Sequence, residues 1–207
     1  GKICASTNSG AVSGDINIGG VAGAIAIEYE LDPEDDISSN ISAEYKREYE
    51  LKAVLQGCTN KGSVSVLRNY AGSVAGRMEL GIITGCYGYG DVTSESGDYV
   101  GGIVGLTNAT VRSNWAKCTL SGGKYVGGIA GLGKFSLKKS FSKASIEGKS
   151  YVGGIAGKID SMSSCYAISD VKGDEYIGAV IGETDSNDNV KGCYYVDKNV
   201  GGIDGIS

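Results

Sequence analysis

Histidine is absent from the 207 residues. A Ser-His or Cys-His nucleophile, a His-bearing zinc site and an HExxH metalloprotease helix are therefore excluded within this chain. Proline occurs once, at Pro33, and Trp once, at Trp115. No run of 18 apolar residues is present and no charged start leads into an apolar stretch, so neither a transmembrane helix nor a signal peptide is expected. A chain that opens on Gly1 reads as an excised piece of a larger protein, whose targeting signals are then expected outside it. Cys-x-x-Cys spacing is missing among the 6 cysteines, which removes the usual zinc pattern. Asn-Gly or Asp-Gly turns at the 8–12-residue intervals of an antiparallel sandwich are missing too.

Glycine, by contrast, is abundant, with 35 residues that recur in short motifs. One phrase returns along the chain as Tyr99 to Gly105 (YVGGIVG), Tyr125 to Gly131 and Tyr151 to Gly157 (both YVGGIAG), and Tyr176 to Gly182 (YIGAVIG). Weaker copies lie at Ile18 to Gly23, Tyr70 to Gly76 and Val200 to Gly205. The first glycines, Gly19, Gly72, Gly101, Gly127, Gly153, Gly178 and Gly201, are 53, 29, 26, 26, 25 and 23 residues apart, and the first interval reads as two periods.

A second phrase precedes five of the anchors: Cys58 to Val64, Cys86 to Val92, Asn114 to Leu120, Ser140 to Ile146 and Cys165 to Val171. Counting its first residue as position 0, positions 0, 2 and 4 are small and position 6 is β-branched or Leu, while positions 1, 3 and 5 are mostly aromatic, Lys and Ser/Thr/Asp. This period of two marks a strand with one face inside and one outside. Two short strand phrases and glycine corners every 26 residues or so fit one coil of a parallel β-helix. The chain is expected to be all-β, a single domain over 1–207 folded as a right-handed β-solenoid of about seven coils, roughly 30 Å long. Within YVGGIAG, Val126 and Ile129 are three apart and cannot share one strand face, so a corner or bulge is expected at Gly127 and Gly128.

One segment breaks the pattern. Residues Ala24 to Gln56 lack glycine, hold the single proline, and carry 9 of the 24 acidic residues against 3 of the 19 basic ones. Asp32-Pro33-Glu34 is a helix-start signal, and Asn40 or Ser42 can cap a second helix from about Ile41 to Leu55. An acidic helical insertion at about 24–56 is expected, either covering the solenoid or docking a partner. The remaining residues are near neutral, so composition offers no basic stripe for nucleic acid.

The GGI-x-G anchors, with Leu106 and Leu132 after two of them and the Cys/Ser/Asn-aromatic-Ala/Gly strand before them, resemble the bacterial GLUG repeat. That resemblance implies a place in large secreted or wall-attached proteins, including adhesins and the non-catalytic regions of immunoglobulin-cleaving metalloproteases. The expectation is therefore a non-enzymatic repeat module, extracellular or on the bacterial cell surface and monomeric as a fragment. It would act in adhesion or in binding a host protein or glycan, without nucleic acid or membrane insertion, or else serve as a passive stalk.

Candidate site residues come from the outward positions. Position 1 reads Tyr87, Trp115, Phe141, Tyr166 and, by continuation, Tyr194, an aromatic stripe flanked by Lys117 and Lys143 at position 3. Position 5 reads Ser63, Asp91, Thr119, Ser145 and Asp170, which never sets two acids on adjacent coils, so paired-carboxylate glycoside chemistry is not expected and no catalytic residue is assigned. Cys58, Cys86 and Cys165, continued by Cys193, share one inward column, either as small buried side chains or as stacked disulfide pairs. Asp185 to Asn189 alternates oxygen ligands, but Val190 stands where a calcium loop needs glycine, so a polar corner loop is expected. No metal and no cofactor is assigned.

Overall fold

The computed structural model describes residues 1–26, 51–196 and 200–203. Short strands stack in parallel into a β-solenoid. One coil runs through Ile82–Thr84 in an eleven-stranded sheet A, Tyr87–Gly88 in a seven-stranded sheet B, Val92–Ser94 and Val100–Gly101 in six-stranded sheets C and D, and returns to sheet A at Val104–Thr107. Five coils follow one another without a break from Val54 to Glu183. A sixth, from Lys2 to Ile25, precedes residues 27–50, and a partial seventh follows from Val190, so sheet B holds one strand from each of seven levels.

The 53-residue interval is not two periods. Ile18–Gly19 pairs directly with Ala71–Gly72, so the first two coils are neighbours in the stack. The expected insertion is also shorter than 24–56, because Ala22–Ile25 and Val54–Gln56 are strands at its two ends. Leu55 cannot close a helix there: it is fully buried and stacks between Ile3 and Ile83 in a core column. The two helices expected within the insertion fall almost wholly on residues outside those described.

The alternation read from the sequence is the burial pattern. Cys86, Gly88, Gly90 and Val92 are buried while Tyr87, Tyr89 and Asp91 are exposed. Inside, like residues stack: Leu55, Ile83, Val111, Leu137 and Met162 form one column and Ile103, Ile129 and Ile155 another, all with no exposed surface. Burial of each such side chain contributes about 1.5–3 kcal/mol.

Each coil bends at two places into left-handed backbone. The first precedes position 0 and holds Gly57, Gly85, Ser113, Lys139 and Ser164 at φ 62°, 63°, 56°, 49° and 55°. The second holds not the anchor glycines but the tyrosine before them: Tyr70, Tyr99, Tyr125, Tyr151 and Tyr176, at φ between 53° and 67°. The glycines that follow serve close approach. At Gly127 and Gly128 the chain turns from sheet D into sheet A, so that Val126 and Ile129 both point inward, as expected. A Cβ on Gly153 would collide with the carbonyl oxygen of Ala156 and lie 2.8 Å from the Gly182 nitrogen on the next coil.

These two uses of glycine separate in a stability measurement. Gly153→Ala should cost about 3 kcal/mol, the upper range of overpacking, because only backbone could move aside. Gly57→Ala should cost about 1 kcal/mol, since a Cβ there meets only the Ala5 nitrogen at 3.9 Å and the penalty is that of left-handed backbone alone. Urea midpoints of the two variants check the order, and equal losses would contradict it.

Candidate functional site

The left-handed residue before position 0 turns the chain from sheet A into sheet B, and sheet B then carries position 1 outward. In-register pairing sets Tyr87 beside Trp115, Trp115 beside Phe141, Phe141 beside Tyr166 and Tyr166 beside Tyr194. The structure thus brings all five expected stripe residues together. Tyr87, Trp115, Tyr166 and Tyr194 are 40, 44, 37 and 67 % exposed, and Phe141 is half-buried between two of them. Phe141 and Tyr166 stack at 5.7 Å and 14°, whereas Trp115 stands at 75° to Phe141 with centroids 4.9 Å apart. Trp115 therefore does not continue the face-to-face stack.

Beside the stripe, an open groove of about 590 Å³ runs along the corner between sheets B and C. Lys117, Lys143 and Ile168 at position 3 form one rim, and Asp91, Thr119, Ser145 and Asp170 at position 5 form the other. Cys118, Ala144 and Ser169 form its floor; burial, with the Asp91 charge adding to it, pushes the Cys118 thiol up to about 12. Asp91 Oδ1 accepts the Thr119 N–H at 2.8 Å, which fixes one carboxylate at the rim. The two acids on this rim are three coils apart, roughly 14 Å at strand spacing, too far to work as a pair on one glycosidic bond.

The cysteines occupy the inward column. Cys58, Cys86 and Cys165 are buried, and all six cysteines are free thiols. Each column thiol donates to the carbonyl two residues earlier: Cys86 to Thr84 at 3.5 Å, Cys165 to Ser163 at 3.4 Å and Cys193 to Lys191 at 3.6 Å. Ser140 does the same to Lys138 at 3.0 Å, which is why serine can replace cysteine there. Asn114 goes further, accepting from the Cys86 N–H at 2.9 Å and donating to Ile83 at 3.1 Å. At the last level the one Cys165 proton is shared between the Ser163 carbonyl and Cys193, and that hydrogen bond raises Cys165 and lowers the Cys193 thiol to about 7.

A second aromatic column was not foreseen as a ring stack. Tyr70, Tyr99, Tyr125, Tyr151 and Tyr176 stack at 4.9, 5.2, 4.6 and 4.6 Å, with interplanar angles of 20° or less. Arg77 caps the stack over Tyr70 at 5.6 Å. Burial, and then the neighbouring rings Tyr70 and Tyr125, raise the Tyr99 hydroxyl pKa. The signal was the tyrosine opening each anchor phrase. It passed as part of a backbone motif because nothing in the sequence says that its φ is positive.

Asp185, at the head of the calcium-like loop, is engaged by Lys158 at 2.9 Å, and the same lysine holds Glu183 at 2.8 Å. Asn187–Asn189 forms a 3-10 turn, the polar corner loop expected. Among the described residues no group of three Cys, Asp or Glu side chains could hold a metal ion.

Two expectations follow from this geometry. Tyr125→Ala removes two ring stacks and should cost about 1–3 kcal/mol, whereas Tyr125→Gly should recover about 1 kcal/mol of that loss by relieving left-handed strain. Thermal or urea unfolding of the pair checks it, and a glycine variant no better than alanine would contradict it. Iodoacetamide labelling read by mass spectrometry should modify Cys193 increasingly as pH rises through about 7, because the thiolate is the nucleophile. Cys86 and Cys118, pushed up to about 11 and about 12 by burial, should stay unlabelled to pH 9 until the protein is unfolded. Two or fewer free thiols in unfolded, unreduced protein would show disulfides instead.

No protein-family model, no curated protein and no solved structure matches this chain.

Proposed function

We propose that this solenoid is a non-enzymatic binding module of a bacterial surface or secreted protein, working in adhesion to a host protein or glycan through the flank of sheet B. The observation that carries the reading is the exposed aromatic stripe beside an open groove. Trp115 and Tyr194 are 44 and 67 % exposed, so much of their ring surface stays open beyond the contacts they make along the column. Clustered exposed apolar surface commonly marks a contact site. The glycine-anchored repeat resembling GLUG is what favours the extracellular setting. A passive stalk is the second reading, favoured by the stacking of the Tyr70–Tyr176 column, which stiffens the rod and covers both faces of its three inner rings.

Trp115→Ala separates the two. The variant loses one edge-on ring pair, so stability should fall by only about 0.5–1.5 kcal/mol, while retention on a glycan or host-protein array should fall at least tenfold. A parent chain that finds no ligand on either array, together with a destabilised variant, would leave the stalk.

A further inference from the structure

In-register stacking makes like charges on adjacent coils unfavourable, as they are when directly opposite in any sheet. Most of the rod respects this. Where paired strands set two charged residues side by side, Glu147 meets Lys172 and Lys158 meets Glu183, opposite in sign. One pair breaks the rule: Arg112 is in register with Lys138. The next left-handed corner adds Lys139, and one residue beyond the paired Ala116 and Ser142 come Lys117 and Lys143, again one above the other. These five cations lie on two neighbouring coils, on both sides of Trp115 and Phe141. All five are exposed, and none reaches a carboxylate within 4.0 Å among the described residues. The near-neutral composition of the coils concealed them, because register and not sequence proximity brings them together.

From this unneutralised cluster we infer that the flank of sheet B on the fourth and fifth coils binds a linear polysaccharide bearing carboxylate or sulfate groups. The inference rests on the binding-module reading and specifies its ligand. Cations on both sides of the stripe give an anionic chain two rows of charge contacts. Trp115, set across the stack, offers the sugar rings an apolar contact. The groove rim of Thr119, Ser145 and Asp170 offers acceptors and donors for sugar hydroxyls. Phe141 and Tyr166 are already stacked on each other and leave no slot between them for a base, which disfavours a nucleic acid.

The test is affinity electrophoresis and calorimetry of the chain with polygalacturonate, heparin, neutral hydroxyethyl cellulose and a twelve-residue oligothymidylate. One or both anionic glycans should bind, weakening at least about tenfold between 50 and 200 mM salt as counterion release requires. The double variant Lys117→Gln, Lys143→Gln should weaken binding at least fivefold while leaving the melting temperature unchanged or raised, since a repulsive pair is removed. Lys124→Gln with Lys149→Gln, exposed away from the groove, should change nothing. Equal affinity for the neutral polymer, or a Trp115-dependent protein ligand with no glycan bound, would overturn the charge inference and leave the binding module standing. Tighter binding of the oligothymidylate would overturn it in favour of nucleic acid. Binding to nothing on any of these supports would overturn the charge inference, and the binding module would fall with it only if the host-protein array is empty as well.

Discussion

Parallel, in-register pairing at about 4.8 Å sets every residue directly over its counterpart one coil away, and this constraint governs the rest of the molecule. A side chain chosen for one coil must tolerate its own kind above and below. Aliphatic residues gain from that, as the column Leu55, Ile83, Val111, Leu137, Met162 shows. Aromatic residues gain as well, by stacking. Charges lose unless they alternate in sign. The solenoid is thus a set of columns, and each column has one chemical character.

Closing a coil within some 26 residues demands abrupt corners, and the two left-handed sites meet that demand differently. Before position 0 the site is open, with nothing closer than 3.9 Å to a Cβ at Gly57, so glycine, serine and lysine all occupy it at modest cost. At the other corner tyrosine accepts the same backbone strain, of order 1–2 kcal/mol per residue. Ring stacking worth about 0.5–1.5 kcal/mol per pair, with two pairs for each inner tyrosine, offsets it. The glycines that follow tyrosine are then fixed by carbonyls of their own and the neighbouring coil. That is why the anchor phrase is the most constant stretch of the repeat; Ser73 and Ala179 nevertheless stand at its second glycine, and nothing in the structure explains that exception.

Period-two alternation and the recurring anchor made the strand phrase, the inward and outward faces, the coil stacking and the five-residue stripe legible in the sequence. What escaped it depends on register or on φ. The 53-residue interval read as two coils because the sequence cannot show that Gly19 pairs with Gly72. Val54 to Gln56 read as the end of a helix because its apolar residues suit either period, and only the stacking of Leu55 between Ile3 and Ile83 decides. The tyrosine column looked like backbone punctuation, and the basic cluster was averaged away by acids elsewhere on the rod.

The two aromatic columns differ in how much ring surface they leave open. The inner tyrosines of the Tyr70–Tyr176 column have both faces covered, at separations of 4.6 to 5.2 Å, and no ring surface is left for a ligand. The sheet B column starts only at the third coil: its first two positions are Thr7 and Thr59, and behind them Asn8 and Asn60 hydrogen-bond each other at 2.8 Å. From Tyr87 onward rings take over, and at the fourth coil the stack is interrupted by the 75° rotation of Trp115. The rotation at the one tryptophan falls on the two coils where cations also stack against the rule, so both departures from the column pattern lie at a single place on the rod.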